Sequence, residues 1–171
     1  ILQGWQQYAR TSRFRWPYNS SHAVVYRVIA LCFCWTFIGA IHRQDGRSES
    51  MSVLFRILNI LRNDILFLAP CIGNAKPNNH LLADYFVGWL LYVMFPELIP
   101  DSMDFSVHEE KWQQELLRQF YPDGGSFEHA IHYHEHGCEM AIIYRLLAGV
   151  QSIPAEIDQR IGEMLKFQAG L

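Results

Sequence analysis

The feature that most constrains the fold of this chain is the spacing of its apolar residues, which recur every three or four positions along several long segments. The clearest example lies between Ser50 and Leu68, where the apolar positions are Val53, Leu54, Ile57, Leu58, Leu61, Ile65 and Leu66. This spacing places the side chains on one face of an α-helix. No segment shows a convincing alternating strand pattern, so the sequence predicts an all-α fold.

The predicted helices start after Asn, Ser or Pro residues and stop near Gly or Pro residues, as helix boundaries commonly do. Six are expected, at about 20–41, 50–68, 78–95, 106–120 and 126–149, with the last following Pro154. Their short connections favour antiparallel αα-hairpins. Such hairpins can build a closed toroid, an open solenoid or a bundle, and periodicity does not choose among these three.

Composition narrows the class of protein further. Half of the 171 residues are hydrophobic and the net charge is −3, so there is no basic surface of the kind that binds nucleic acid. The four cysteines form no CxxC pair and are expected to be buried free thiols. The most apolar run, Val28 to Ile41, is expected to be a core helix because it is short for a membrane span and Arg27 borders it. The chain starts without Met or a signal-peptide pattern, so we expect an internal piece of a longer protein.

Two polar clusters interrupt the apolar background, and the first is Asn78, Asn79 and His80, at the start of the third predicted helix. Asn is a favoured N-cap residue, which explains one of the two amides. A helix N-terminus also attracts anions, and neighbouring amide and imidazole donors would complete a site for a carboxylate. Both interpretations stay open at this point.

The second cluster is the segment SFEHAIHYHEHGCE, residues 126–139. If the whole segment is helical, Glu128, His132 and His136 share one stripe, and the two histidines have the spacing of a helical zinc site. The order HExxH is absent, so the metal signal is nonspecific. Tyr133 has small neighbours such as Gly137, which would leave room for a ligand or allow close helix packing.

These motifs together resemble a known family. The chain carries NNHLL, then FPEL, then a Trp-containing helix ending in QF, and then a DGG-F-E-x-A-x-x-Y-H segment. This order resembles the N-terminal part of the heparinase II/III-like polysaccharide lyases, and an earlier W…R element matches Trp16 and Arg27. The residues of the last motif are Asp123, Gly124, Glu128, Ala130, Tyr133 and His134, with Ala130 where the family usually has Ser.

The resemblance implies a fold and a domain organisation. Residues 1–171 would form a single helical domain that is part of an incomplete (α/α) toroid, followed in full-length relatives by more helices and a β-sandwich, which are absent here. Part of the apolar surface would then meet the remaining C-terminal part of the same protein.

The resemblance also implies a chemistry, β-elimination of uronic-acid-containing glycans such as heparan sulfate, heparin or alginate, without a cofactor or a metal. By matching motifs, the implied catalytic residues are Asn79 as the donor to the uronate carboxylate, His80 as its assistant or as a base, and Tyr133 as acid and base. Export to the periplasm or outside the cell is usual in the family. The candidate substrate-binding residues are Asn78, Glu128, His134, Trp16 and Tyr18, among which Glu128 is also expected to orient a neighbour or to cap the fifth helix.

Two alternatives remain beside the lyase. The first is a non-catalytic helical module that binds glycan or protein through an inherited cleft. The second is a metal-dependent hydrolase that uses His132 and His136 with Glu139 or Glu128. Among the aromatic residues, Trp89 and Trp112 are expected in the core because they lie at helical apolar spacing.

Overall fold

A computed structural model of the chain describes residues 20–149 and 151–170, and these residues form six α-helices. The helices are α1 (Ser21–Asp45), α2 (Ser48–Leu68), α3 (Asn79–Met94), α4 (His108–Gln119), α5 (Ile131–Ala148) and α6 (Ala155–Ala169). A short 3₁₀ helix, Pro96–Leu98, follows α3. The described residues contain no strand, only an isolated bridge between Phe120 and Ser126. The all-α prediction is therefore confirmed, whereas the toroid remains an implication of the resemblance.

The first hairpin is longer than the periodicity predicts. Helix α1 continues to Asp45, four residues past its expected end, and stops at Gly46. Gly46 has φ of 62° and donates its N–H to the carbonyl of His42. That left-handed conformation suits glycine, which has no Cβ to clash with the backbone, and it ends the helix in a standard way. Only two residues then separate α1 from α2, and the two helices pack against each other.

The chain divides into two compact units, the first of which comprises the described residues 20–72 together with 90–105. Its core lies between α1 and α2 and includes Val24, Val25, Val28, Ile57, Leu61 and Ile65. An ion pair crosses this core. The Arg27 guanidinium donates two hydrogen bonds to Asp64, at 2.8 Å and 2.6 Å, and the Asp64 side chain is fully buried. Because both charges are largely removed from water, their pairing holds α1 to α2 in one register.

The second unit comprises residues 73–89 and the described residues from 106 to 170. Helix α6 packs against α5 and α4. Its core is built around aromatic rings, with the Trp112 and Tyr144 centroids 4.5 Å apart and those of Trp89 and Tyr144 4.7 Å apart. Trp89 and Trp112 are both almost completely buried, so the prediction that they belong to the core is confirmed.

One predicted boundary is wrong, because α5 begins at Ile131 rather than at Ser126. Phe127 donates its N–H to the carbonyl of Gln119, and Ser126 forms the bridge to Phe120. These contacts hold the segment as a turn, in which Glu128 precedes the helix. The predicted stripe of Glu128, His132 and His136 along one helix therefore does not exist.

Helix α1 also corrects the expectation that the first apolar segment is too short for a membrane span. The helix has 25 residues, and its most apolar 18-residue window has a mean hydropathy of 2.0. Within the described residues it is the one helix long and apolar enough to cross a membrane, a test that core helices and signal sequences also pass. About 28% of that window is buried inside the protein, and Phe33 and Phe37 are exposed.

The cysteines follow the prediction in part. All four are free thiols. Cys32 and Cys138 are buried, as expected, and burial raises the pKa of Cys32 to about 12. Cys34 is exposed and Cys71 is partly exposed, so they do not fit the expectation of burial.

Candidate functional site

The candidate site is built around the first turn of α3. The side-chain oxygen Oδ1 of Asn78 accepts the backbone N–H of His80 at 3.0 Å, and the Asn78 carbonyl accepts the N–H of Leu82 at 3.2 Å. This is the geometry of an N-cap residue, which satisfies donors that have no partner inside the helix. The capping interpretation is therefore confirmed for Asn78.

Glu128 provides the second acceptor at this helix start. Its Oε2 accepts the backbone N–H of Asn79 at 3.1 Å, across 49 positions of sequence. A carboxylate is favoured there because the N-terminus of a helix carries partial positive charge. Glu128 therefore caps α3; of the two roles expected from the sequence, orienting a neighbour or capping the fifth helix, the second is not found. Since the N–H groups of Asn79 and His80 are both used internally, a bound carboxylate would have to be met by side chains.

Gln119, the last residue of α4, is a site residue that the sequence analysis did not single out. It is 2% exposed, and its Nε2 donates to the Asn78 carbonyl at 2.9 Å and to Oε2 of Glu115 at 2.8 Å. The backbone carbonyl of Gln119 accepts the N–H of Phe127. Gln119 thus joins three segments: the end of α4, the following turn and the start of α3. The only sequence signal was the QF pair, because helical periodicity does not identify a buried amide.

The predicted catalytic residues occupy two neighbouring segments. Asn79 is the first residue of α3 and is 7% exposed. His80, the next residue, has an exposed side chain. Tyr133 lies in the first turn of α5 and is 43% exposed. The turn that carries Glu128 leads directly into that helix, so a single segment both fixes the start of α3 and presents Tyr133.

His134 has a different environment from the one expected of a substrate contact. Its side chain is 2% exposed, with Nδ1 2.7 Å from Oε1 of Gln168 and Nε2 2.8 Å from the carbonyl of Gly124. Both ring nitrogens are therefore engaged inside the protein, where they join α5 to α6 and to the preceding turn. This arrangement makes His134 a positioning residue. Trp16 and Tyr18, the other aromatic candidates, lie outside the described residues.

On α5, His132 and His136 each pair with a glutamate three residues further along the helix. Nδ1 of His132 lies 3.0 Å from Oε2 of Glu135, and Nδ1 of His136 lies 3.4 Å from Oε2 of Glu139. In the part of the chain that the structure describes, no group of three His, Cys, Asp or Glu side chains is arranged to hold a metal ion. The metal-dependent alternative thus has no support in this geometry.

Comparison with known proteins agrees with the motifs. The sequence matches the family model described as Heparinase II/III N-terminus over residues 53–170, which is more than half of the chain and includes every described residue of this site. No curated protein and no solved structure matches the chain. The chain belongs to the heparinase II/III N-terminus family.

Proposed function

We propose that this chain is part of a polysaccharide lyase that cleaves uronic-acid-containing anionic glycans by β-elimination. The observation that carries the proposal is the position of Asn79 at the start of α3, where Glu128 and Asn78 accept the backbone N–H groups and a ligand carboxylate would be met by the Asn79 side chain. The N-terminus of a helix carries partial positive charge, so a ligand carboxylate that accepts a hydrogen bond from this amide would be favoured there. Membership of the heparinase II/III family supports the same chemistry.

The reaction gives this amide a role. A base removes the proton from C5 of the uronate, and the bond between C4 and its oxygen then breaks. Negative charge develops on the adjoining carboxylate as the proton leaves, so donors that face the carboxylate stabilise the transition state more than the ground state. Asn79 would donate this hydrogen bond, and the exposed imidazole of His80 would assist it or act as base on substrates of the opposite C5 configuration.

Tyr133 would transfer protons in the same reaction. Its partly exposed phenol can approach a bound sugar, take the C5 proton and give a proton to the departing C4 oxygen. Asn78, Glu128 and Gln119 would hold the start of α3 in place through the hydrogen bonds described above. Because the substrates of such an enzyme are extracellular polymers, we place the protein in the periplasm or outside the cell.

The proposal is tested by following the ultraviolet absorbance of the unsaturated uronate product. The chain, and a longer protein that contains it where the gene encodes one, would be incubated with heparan sulfate, heparin, alginate and other polyuronates. We expect product from at least one glycan, with the rate reduced about 100-fold to 1,000-fold in Asn79→Ala and in Tyr133→Phe. His132→Ala is the matched control, since His132 is on the same helix as Tyr133 and its side chain is 89% exposed.

Two results would contradict the proposal. Glycan binding without product, in every protein tested, would favour the non-catalytic binding module. Full activity in both Asn79→Ala and Tyr133→Phe would show that the chemistry lies elsewhere.

A further inference from the structure

A second feature of the same unit is a pocket of about 450 Å³ between the turn after α4 and the adjoining faces of α5 and α6. None of the three implied catalytic residues lines it. The six lining residues that matter for its chemistry are Tyr121, Asp123, Ser126, His129, His134 and Phe167.

Aromatic rings form two walls of this pocket. Tyr121 is 45% exposed and Phe167 is 38% exposed, so both present ring surface to the opening. Phe167 is held by the buried His134, with the two ring centroids 5.0 Å apart. Aromatic walls with few polar groups are typical of sites for small organic ligands, and the apolar C–H face of a pyranose ring packs well on such surfaces.

Polar groups on the floor and rim are suited to hydroxyl groups. Oδ1 of Asp123 accepts the N–H of Gly125 at 3.0 Å, which leaves its other oxygen to accept from a ligand. Oγ of Ser126 accepts the N–H of Glu128, so its hydroxyl hydrogen can be donated. His129 has φ of 50°, in the left-handed region that non-glycine residues seldom adopt. Backbone strain of this kind is concentrated at ligand clamps and active sites.

The charge of the lining residues favours an uncharged sugar over an acidic one. It contains one carboxylate, Asp123, and neither Lys nor Arg. The buried His134 cannot offer a ring nitrogen because both are engaged. A uronate carboxylate or a sulfate in this pocket would lie near Asp123 without a fixed cation to compensate, which is unfavourable.

We propose that this pocket is a subsite for an uncharged pyranose unit of the glycan, stacked on Tyr121 and Phe167 and hydrogen-bonded to Asp123, Ser126 and His129. The identification of the ligand as part of the substrate rests on the proposed lyase function. The turn that lines the pocket also contains Glu128, which is bonded to Asn79. The preferred substrate would accordingly alternate uronate with an uncharged sugar, and a polymer made of uronate alone would be a poorer one.

The subsite is tested by binding, without reference to turnover. Isotope-labelled chain would be titrated with methyl β-N-acetylglucosaminide, methyl β-glucoside and methyl β-glucuronide, and amide chemical shifts would be followed by NMR. We expect at least one of the two uncharged sugars to shift residues 121–134 and Phe167, and the glucuronide to bind more weakly. Tyr121→Ala should weaken the binding of the uncharged sugar about fivefold to tenfold. Tyr121→Phe should keep most of it.

The control is Tyr92→Ala, because Tyr92 is 46% exposed, like Tyr121, but is not part of the pocket. Binding that is lost equally in Tyr92→Ala and Tyr121→Ala, tighter binding of the glucuronide, or no shift with any sugar would each overturn the subsite. If product forms from a uronate glycan while no sugar shifts the pocket, the lyase stands and the subsite fails. Shifts in the pocket without product from any glycan would support a sugar-binding pocket and contradict the lyase.

Discussion

Asp84 is a carboxylic acid in the middle of α3 that the proposed chemistry does not use. Its side chain is 1% exposed, and its Oδ2 has no hydrogen-bond partner within the described residues. Burial raises the pKa of Asp84 to about 6, an effect that the hydrogen bond from the backbone of Gly73 partly offsets. Folding therefore favours the protonated acid over the ionised form.

This environment predicts how stability depends on pH. Below about pH 4 the carboxyl group is protonated in both the folded and the unfolded chain, so the stabilisation from burying a neutral acid is fully present. As pH rises through about 6, the unfolded chain ionises first and the free energy of unfolding falls, by roughly 2 to 3 kcal/mol in total. Urea denaturation of the wild type and Asp84→Asn at several pH values between 4 and 7 measures the difference. We expect that difference to change over this range by the stated amount, and parallel curves would contradict the prediction.

The residues around Asn79 show what could be read from the sequence at this scale. Asn78 as a helix cap follows from local chemistry, since an amide before an apolar run has few other structural roles. The partner of Asn79 could not be found in the same way. Glu128 is 49 positions away, and its hydrogen bond to Asn79 depends on a turn that was predicted to be helical.

At the scale of helices, Gly137 decides how closely α5 approaches the end of α4. A Cβ atom at this position would lie 2.1 Å from the Phe120 ring, which is itself 2% exposed. The sequence left two roles open for this glycine, room for a ligand near Tyr133 or close packing. The space is filled by Phe120, so the packing role is the one found.

We expect Gly137→Ala to lower the free energy of unfolding by about 1 to 3 kcal/mol, since the new methyl group must push a buried ring aside. Gly162→Ala is the matched control, because Gly162 is also inside a helix and a Cβ there meets nothing within 4 Å. Replacing that glycine should leave stability unchanged or raise it by up to about 1 kcal/mol. Chemical denaturation of both variants gives the comparison, and equal effects would refute the packing argument.

The helices themselves were predictable, whereas the turns between them were less so. Apolar segments bounded by Ser, Asn, Gly and Pro residues located the six helices of the described residues. The start of α5 was missed because the turn at residues 126–130 depends on contacts with Gln119 and Phe120, in another element. The residue types and motif positions of the site could thus be predicted from the sequence. The hydrogen bonds that connect its segments could be identified only from the folded structure.

At the scale of the whole molecule, α1 is the helix among the described residues that is long and apolar enough to raise the question of membrane association. However, Arg27 near the start of α1 is bonded to the fully buried Asp64 of α2. Moving α1 into a bilayer would break this ion pair. Separating the two charges is unfavourable both inside a protein and within a membrane.

We therefore expect α1 to remain packed on α2, so alkaline carbonate should release the chain from lipid vesicles.

Asp64→Asn should lower the free energy of unfolding by about 3 kcal/mol, because the guanidinium of Arg27 loses its carboxylate. Arg62→Gln, an exposed position on the same helix, should have little effect. Replacing both members of the pair by Arg27→Met and Asp64→Leu should restore most of the stability, since the charge and its partner disappear together. A wild-type chain that stays in the vesicle pellet after carbonate, with Asp64→Asn as stable as wild type, would instead assign α1 to the membrane.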